Sequence, residues 1–184
     1  RCSSSRNMRA MPADARQAAL SGGLLLYLAS APVLASTACW QWHDAGREPL
    51  PDCQRTDTGL ALGPAALSQL RHDQRGLARI QSAGQFHYHH RSGRQLQVPA
   101  MDNGADDFQR GLVRGIVAGR YGFFDRHLKP RIAANFDGAL PFDPASGSAW
   151  VCRGCRLSAP AADGQRSWVG GTHWQINTTG KPVP

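Results

Sequence analysis

Apolar and polar residues alternate along the central part of the chain. The alternation runs from Leu77 to Ser82, stops at Gly84, and resumes with aromatic residues at Phe86 and Tyr88. Alternation with a period of two, aromatic enrichment and an intervening glycine are typical of two short strands joined by a tight turn. The pattern therefore predicts a β-hairpin, with Gly84 at a turn position that requires a positive φ.

The same pattern recurs 35 residues later in the chain. Gly76-Leu77-Ala78-Arg79-Ile80 is matched by Gly111-Leu112-Val113-Arg114-Gly115, and Gly84 by Gly119. A fixed period of roughly 20–50 residues is typical of repeat proteins. One isolated hairpin is marginally stable in water, so each unit is expected to bury its apolar face against its neighbours. We therefore predict an all-β fold of about three tandem β-hairpin repeats.

The segment Gly119–Asp125 resembles the WG-repeat (KWG) family. Tyr121 stands where the family usually has tryptophan, and in the earlier copy His87 replaces the family's glycine. A third copy is expected at His173–Gly180. The resemblance covers residues from 76 to the end of the chain and implies tandem β-hairpins without a shared catalytic residue. The repeat-motif residues are Gly84, Phe86, Tyr88, Gly119, Tyr121, Gly122, Phe123, Asp125 and Trp174.

Residues 1–35 are interpreted as a secretory signal peptide. A basic region is followed by an apolar run and by small residues that end at Ala35, the predicted cleavage site. Met8 and Met11 are the candidate start residues. One alternative is a transmembrane anchor, for which the apolar run is shorter than the roughly 20 residues that a bilayer requires. The other is lipoprotein processing at Cys39. We expect no transmembrane span in the processed chain.

The part that follows the signal peptide is long enough for one domain with its own core. We divide it into an N-terminal cap segment, 36–75, and a repeat region, 76–184. Thr56–Asp73 is the one helix candidate, because four leucines and a proline suited to a first helical turn lie within it. Within this candidate, Gly63–Leu70 fits either a short helix or a loop.

Charge does not indicate nucleic-acid binding. The chain of 184 residues has a formal net charge of +8, and loss of the signal peptide, with its four arginines and one aspartate, lowers this to +5. A nucleic-acid site would require a contiguous basic patch with interleaved aromatic residues. The nearest group of basic residues is interpreted as a solvated surface, with polyanion binding as an alternative. It consists of Arg71, Arg75, Arg79, Arg91 and Arg94.

Four cysteines follow the predicted cleavage site, and in an exported protein an even number is expected to form disulfides. We predict a Cys39–Cys53 bond that ties down the N-terminal segment. Cys152-Arg153-Gly154-Cys155 fits a structural disulfide, a thiol-redox site or half of a zinc site. We favour structural disulfides, formed within this motif or by each of its cysteines with the other pair.

The histidines of His87-Tyr88-His89-His90 are the second group with possible chemistry. On a strand, His87 and His89 would lie on one face and could share a metal ion. The corresponding positions of the second repeat are Gly122 and Phe124, so this pair is not a repeated feature. We therefore expect solvent-facing histidines and no metal site.

These observations together predict a non-enzymatic binding or scaffolding module of the periplasm or the extracellular space. We find no nucleophile-elbow motif, phosphate-binding loop or spaced carboxylate pair. We expect no catalytic residue or cofactor, and the expected partner is an envelope protein or a glycan. The alternative is a metal-dependent or thiol-redox envelope enzyme that uses His87/His89 or Cys152/Cys155.

Overall fold

Short antiparallel β-strands make up most of the structure, a computed structural model that describes residues 38–102 and 104–183. The all-β fold class is confirmed. The predicted signal peptide and its cleavage site lie outside the described residues. In chain order the elements are β1 (Cys39–His43), β2 (Gly46–Leu50), β3 (Cys53–Thr56), β4 (Gly59–Leu62), α1 (Pro64–Gln69), β5 (Leu77–Ser82), β6 (Gln85–His90), β7 (Gln95–Val98), β8 (Ala100–Met101), β9 (Gly104–Ala105), β10 (Val113–Val117), β11 (Arg120–Phe124), β12 (Pro130–Phe136), β13 (Gly138–Ala139), β14 (Ser148–Arg153), β15 (Arg156–Leu157), β16 (Trp168–Val169), β17 (Thr172–Asn177) and β18 (Pro182–Val183).

Eight strands form the main sheet, in the order β12-β11-β10-β7-β6-β5-β1-β2, and all its neighbouring strands are antiparallel. Two three-stranded meanders, β5-β6-β7 and β10-β11-β12, therefore lie side by side. A second sheet has the order β13-β14-β17-β18. Because β1 pairs with β5, the main sheet crosses the predicted boundary at residue 75. The described residues belong to one compact unit.

The two central hairpins have the same turn. Ala83 and Gly84 join β5 to β6 with φ values of 47° and 76°, and Ala118 and Gly119 join β10 to β11 with 49° and 74°. Positive φ at both central residues is typical of the type I′ turn, whose twist matches that of the flanking strands. The predicted positive φ at Gly84 and Gly119 is confirmed. The alanine before each glycine also has a positive φ, although alanine seldom adopts this conformation.

Equivalent residues of the two hairpins nevertheless lie on opposite faces of the main sheet. Gln97 of β7 is the partner of His87 on one side and of Ile116 on the other, so His87 and Ile116 lie on the same face. Ile116 in turn pairs with Tyr121. Tyr121 therefore lies on the face opposite to that of its counterpart Phe86, because successive residues of a strand alternate between faces.

Buried apolar side chains of the described residues form three clusters, and the repeat aromatics are divided between two of them. Phe86 and Tyr88 belong to the first cluster, with Leu96, Val113 and Phe124. The second cluster contains the counterparts of these aromatics, Tyr121 and Phe123, with Phe136 of β12, Phe142 of the loop after β13, and Ile176 and Trp174 of the second sheet. The third packs β1 against β4 and α1.

The N-terminal segment is held by the predicted disulfide. Cys39 of β1 is bonded to Cys53 of β3, with a Cα–Cα distance of 5.9 Å. Of the two alternatives for Gly63–Leu70, the short helix is present, at Pro64–Gln69 with Pro64 in its first turn. The candidate Thr56–Asp73 was too long at both ends, because Gly59–Leu62 pairs with β3 as a strand and the helix ends at Gln69.

Consecutive strands near the C-terminus belong to different sheets. β16 and β17 do not form a hairpin, because β16 pairs with β15 and β17 pairs with β14. Gly170 and Gly171 between them both have positive φ. Pro182 and Val183 pair with β17 as the strand β18.

Candidate ligand-binding cleft

A cleft of about 580 Å³ opens on one face of the main sheet, beside β1, β5 and β6. Its wall is completed by the loops that precede β5, precede β10 and follow β11. We call it the arginine cleft. It is lined by Trp42, His43, Asp44, Arg71, His72, Asp73, Arg75, Leu77, Arg79, Tyr88, Asp107, Phe108, Gln109 and Arg126.

The back of the cleft is a row of three residues on adjacent strands. Trp42 pairs with Arg79, and Arg79 pairs with Tyr88, so the three side chains share one face of the sheet. The Trp42 indole Nε1 donates to Gln81 Oε1 at 3.0 Å, which fixes the plane of the ring. The Tyr88 hydroxyl donates to the carbonyl of Asp106 at 2.9 Å. Burial, followed by the nearby Asp107, raises the pKa of Tyr88, so the hydroxyl remains a hydrogen-bond donor.

Four arginines line the cleft: Arg79 within this row, and Arg71, Arg75 and Arg126 around it. Arg71 approaches Glu48 at 3.4 Å and Arg79 approaches Asp44 at 3.4 Å, and these pairs are exposed enough for each to contribute little stability. The guanidinium of Arg126 lies 4.7 Å from the centre of the Phe108 ring. No described side chain forms an ion pair with Arg75 or Arg126. The cleft therefore holds two guanidinium groups that are available to an anion.

The basic residues singled out from the sequence are only partly brought together. Arg71 and Arg79 line the cleft together with Arg75, whereas Arg91 and Arg94 do not line it. Arg91 instead donates to the carbonyl of Asp73 at 3.4 Å, and Arg94 donates to Ser92 at 3.0 Å.

Sequence reasoning did not single out Trp42, Asp107, Phe108 or Arg126 as residues of a ligand site. They come from β1 and from two loops that are distant in the sequence, and no local pattern connects these segments.

A buried ion pair positions one of these loops. Asp106 accepts two hydrogen bonds from the Arg114 guanidinium, at 2.8 and 2.9 Å, and both side chains are buried. Asp106 also accepts from the backbone N–H of Arg114 at 3.2 Å. A buried guanidinium–carboxylate pair tolerates little displacement of either partner. The next two residues, Asp107 and Phe108, are thereby placed at the wall of the cleft.

The strand histidines are buried, contrary to the expectation that they face solvent. The exposed fractions are 2% for His87, 4% for His89 and 7% for His90. The expectation failed because both faces of β6 are covered. The side that carries His87 lies near Arg55 of β3, and the opposite side packs in the first core cluster.

Each of the last two histidines of β6 faces a histidine from a loop. His89 Nδ1 lies 3.0 Å from His72 Nε2, and His90 Nε2 lies 3.4 Å from His127 Nδ1. Burial, followed by neighbouring cationic or histidine side chains, lowers the pKa of His72, His89 and His90. His72 lines the arginine cleft, so one of these contacts lies at its wall.

His87 is the most isolated of the group. Neither ring nitrogen has a hydrogen-bond partner among the described residues. Burial, and secondarily the charge of Arg55, lowers the pKa of His87 to about 4. Within the described ranges, no three His, Cys, Asp or Glu side chains are arranged to hold a metal ion. His87 and His89 therefore lie on one face as predicted, but without a third ligand there.

The second cysteine pair forms a disulfide within its own motif. Cys152 is bonded to Cys155 across the end of β14, with a Cα–Cα distance of 5.9 Å. Gly154 between them has a φ of 68° and donates its N–H to Asp137 Oδ2 at 2.7 Å. The structural disulfide favoured from the sequence is therefore present, in a tight turn.

The remaining repeat-motif residues support strands and turns. Asp125 Oδ1 accepts from the N–H of His127 and Lys129, and Asn177 Oδ1 accepts from those of Thr179 and Lys181. If the sequence is aligned with itself so that Asn177 matches Asp125, Trp174 matches Gly122. The aromatic position of the repeat, Tyr121, is one residue earlier. Trp174 lies in the second sheet and packs against Phe136, with ring centres 5.8 Å apart.

Two further clefts, of about 560 and 510 Å³, lie elsewhere on the molecule. Both include Leu140 and Trp150 in their linings, and these side chains are about half exposed. Neither contains the group of arginines found at β1, β5 and β6.

No protein-family model, curated protein or solved structure matches the chain. Across residues 38–102 and 104–183, no helix has the length and apolar character needed to span a membrane.

Proposed function

We propose that the protein is an exported, non-enzymatic binding module and that its ligand binds in the arginine cleft. The observation that carries this proposal is the pair of guanidinium groups, Arg75 and Arg126, that lie at the cleft without an ion-pair partner among the described residues. A cleft of this size, with a few convergent polar groups beside aromatic rings, is typical of a ligand site.

Export is supported by the two disulfides. Cys39–Cys53 and Cys152–Cys155 are both formed, and such bonds persist in the periplasm and outside the cell but are rare in reducing compartments. The predicted signal peptide would supply the route. The similarity of the two hairpins, in spacing and in turn geometry, is consistent with the proposed relation to WG repeats.

Affinity capture from a cell-envelope extract tests this function. The full-length protein, processed by its host, would be compared with the double variant Arg75→Gln, Arg126→Gln. A matched control is Arg131→Gln, Arg156→Gln, which removes the same charge at two exposed arginines outside the cleft. We expect the wild type and the control to retain the same envelope component and the cleft variant to lose it. Equal capture by all three folded proteins would refute the assignment of the ligand to this cleft.

A further inference from the structure

We propose that the arginine cleft binds an acidic polysaccharide whose sugar rings carry carboxylate groups. This inference rests on the proposed function and specifies the chemical class of its ligand. Three features of the cleft support it together: guanidinium groups without ion-pair partners among the described residues, the exposed carboxylate of Asp107 and the partly exposed indole of Trp42.

The guanidinium groups of Arg75 and Arg126 favour an anionic ligand. Arg75 is exposed, and the guanidinium of Arg126 is held in place over the Phe108 ring. Stacking on an aromatic ring leaves the edge of a guanidinium free to donate two parallel hydrogen bonds to a carboxylate. Arg71 and Arg79 can join them, since their present partners are held at 3.4 Å in exposed pairs.

The exposed carboxylate of Asp107 favours a ligand that carries hydrogen-bond donors as well as anionic groups. Asp107 forms no ion pair among the described residues, whereas Asp44 pairs with Arg79 and Asp73 accepts from backbone N–H groups. An ionised carboxylate accepts hydrogen bonds and donates none. It would repel an anionic group of a ligand that lies beside it, and it would accept from a donor group placed there. Sugar hydroxyl groups can donate to Asp107 while a uronate carboxylate on the same chain pairs with an arginine.

The Trp42 indole fits the apolar face of a sugar ring. Trp42 lines the cleft and is partly exposed, whereas the Phe108 ring already contacts Tyr88 and Arg126. The hydrogen bond from Trp42 to Gln81 holds the indole plane, so little conformational entropy would be lost when a ring stacks on it. A polysaccharide also suits an extended row of side chains on adjacent strands, since one chain can contact several of them.

Calorimetric titration of the processed full-length protein with hexagalacturonate tests the proposal. We expect binding that weakens at high salt, and at least about tenfold weaker binding of the carboxyl-reduced hexasaccharide, because each charged hydrogen-bonded pair typically changes affinity by that order. Arg75→Gln and Arg126→Gln should each weaken hexagalacturonate binding about tenfold. Arg131→Gln, an exposed arginine outside the cleft, should leave it unchanged.

Asp107→Asn separates this ligand class from a general polyanion. If Asp107 accepts from sugar hydroxyl groups, the substitution should weaken hexagalacturonate binding several-fold, although it removes a negative charge. Stronger binding by this variant would overturn the proposal, because the carboxylate would then act only by repulsion. Equal affinity for hexaglutamate or for a single-stranded DNA hexamer would overturn it as well.

The proposed function and the ligand class can fail separately. If the cleft variant loses its envelope component while the wild type does not bind hexagalacturonate, the ligand class is wrong and the binding function stands. If hexagalacturonate binds equally to the wild type and to Arg75→Gln, Arg126→Gln, the cleft assignment fails for both.

Discussion

The β5–β6 and β10–β11 hairpins occupy equivalent places in two adjacent meanders, and they differ mainly in what their second strands carry. Both turns have an alanine and a glycine with positive φ. β6 contains His87, His89 and His90, whereas the corresponding positions of β11 and its following turn are Gly122, Phe124 and Asp125. The comparison shows that one backbone arrangement supports two different sets of side-chain interactions.

The difference between His87 and Gly122 is explained by the strand that lies beside each residue. A Cβ atom on Gly122 would lie 2.7 Å from the backbone of Ala134, where the pairing of β11 with β12 is irregular. β12 therefore approaches too closely for any side chain at this position. At His87 the neighbouring strand is regularly paired, and an imidazole is accommodated.

His90 and Asp125 also differ, and each accepts a hydrogen bond in the turn that follows its strand. Asp125 Oδ1 accepts the N–H of His127 at 2.9 Å, and His90 Nδ1 accepts the N–H of Ser92 at 3.1 Å. The imidazole takes the place of the carboxylate as the acceptor. His90 Nδ1 must therefore be unprotonated, and this turn should be sensitive to acid in a way that its counterpart is not.

The largest expected effect is acid destabilisation of the histidine-bearing hairpin. Burial lowers the pKa of His87 to about 4, and it also lowers the pKa of His72, His89 and His90. Below the ordinary histidine pKa of about 6.5 the unfolded chain binds protons that the folded protein excludes. Stability is therefore complete above about pH 6.5 and is lost as the pH falls toward 4. His87 alone should account for on the order of 3 kcal/mol.

Urea unfolding followed by tryptophan fluorescence, at steps from about pH 7.5 to 4.5, measures this effect. A free energy of unfolding that stays constant across this range would contradict the assignment of buried neutral histidines.

The next largest effect is expected in the other hairpin. Gly122→Ala should destabilise the protein by about 2 kcal/mol, because the clash is with backbone atoms that cannot rotate away. Gly104→Ala is the control, since its Cβ would meet its nearest neighbour, Met101 O, at 3.6 Å. Equal unfolding midpoints for the two variants would show that β12 can move.

A smaller effect, an increase in stability, is expected from His87→Leu at about pH 7.5. The substitution removes a buried polar ring without hydrogen-bond partners among the described residues and fills the same region with apolar atoms. We expect an increase of about 1 kcal/mol in the free energy of unfolding, together with a weaker pH dependence. Destabilisation by more than about 2 kcal/mol would indicate that His87 makes an interaction important for the fold.

The smallest effect at neutral pH is expected for His90→Asn. Asn177 already serves as the acceptor in a similar turn, so the amide oxygen should replace Nδ1 with a change below about 1 kcal/mol. The variant should nevertheless lose less stability than the wild type between about pH 6.5 and 4.5. An unchanged pH dependence would remove His90 from the acid-sensitive group.

Local features of the fold could be predicted from the sequence because they depend on near neighbours. Alternation and glycine positions predicted the hairpins and the positive φ of Gly84 and Gly119. Proline at position 64 indicated the first turn of the helix, and an even number of cysteines in a chain predicted to be exported indicated disulfides, of which Cys39–Cys53 is present.

Features set by distant residues could not be predicted in the same way. The reversal of faces between Phe86 and Tyr121 depends on how β7 pairs with β10, which no local pattern specifies. The histidines were expected to face solvent because the second repeat has no histidines at the corresponding positions, but β6 is covered on both faces. The arginine cleft likewise needs Arg126 from a loop about 50 residues after Arg75 in the chain.

The most direct test of the arginine cleft as the ligand site is the set of tryptophan indole N–H signals in a ¹H–¹⁵N spectrum during titration with hexagalacturonate. The chain has five tryptophans, of which Trp42 lines the arginine cleft and Trp150 and Trp168 line other clefts. We predict that the Trp42 signal shifts to saturation while those of Trp150 and Trp168 stay in place. A Trp42 signal that is unchanged at saturating ligand, or shifts confined to Trp150 and Trp168, would contradict this account.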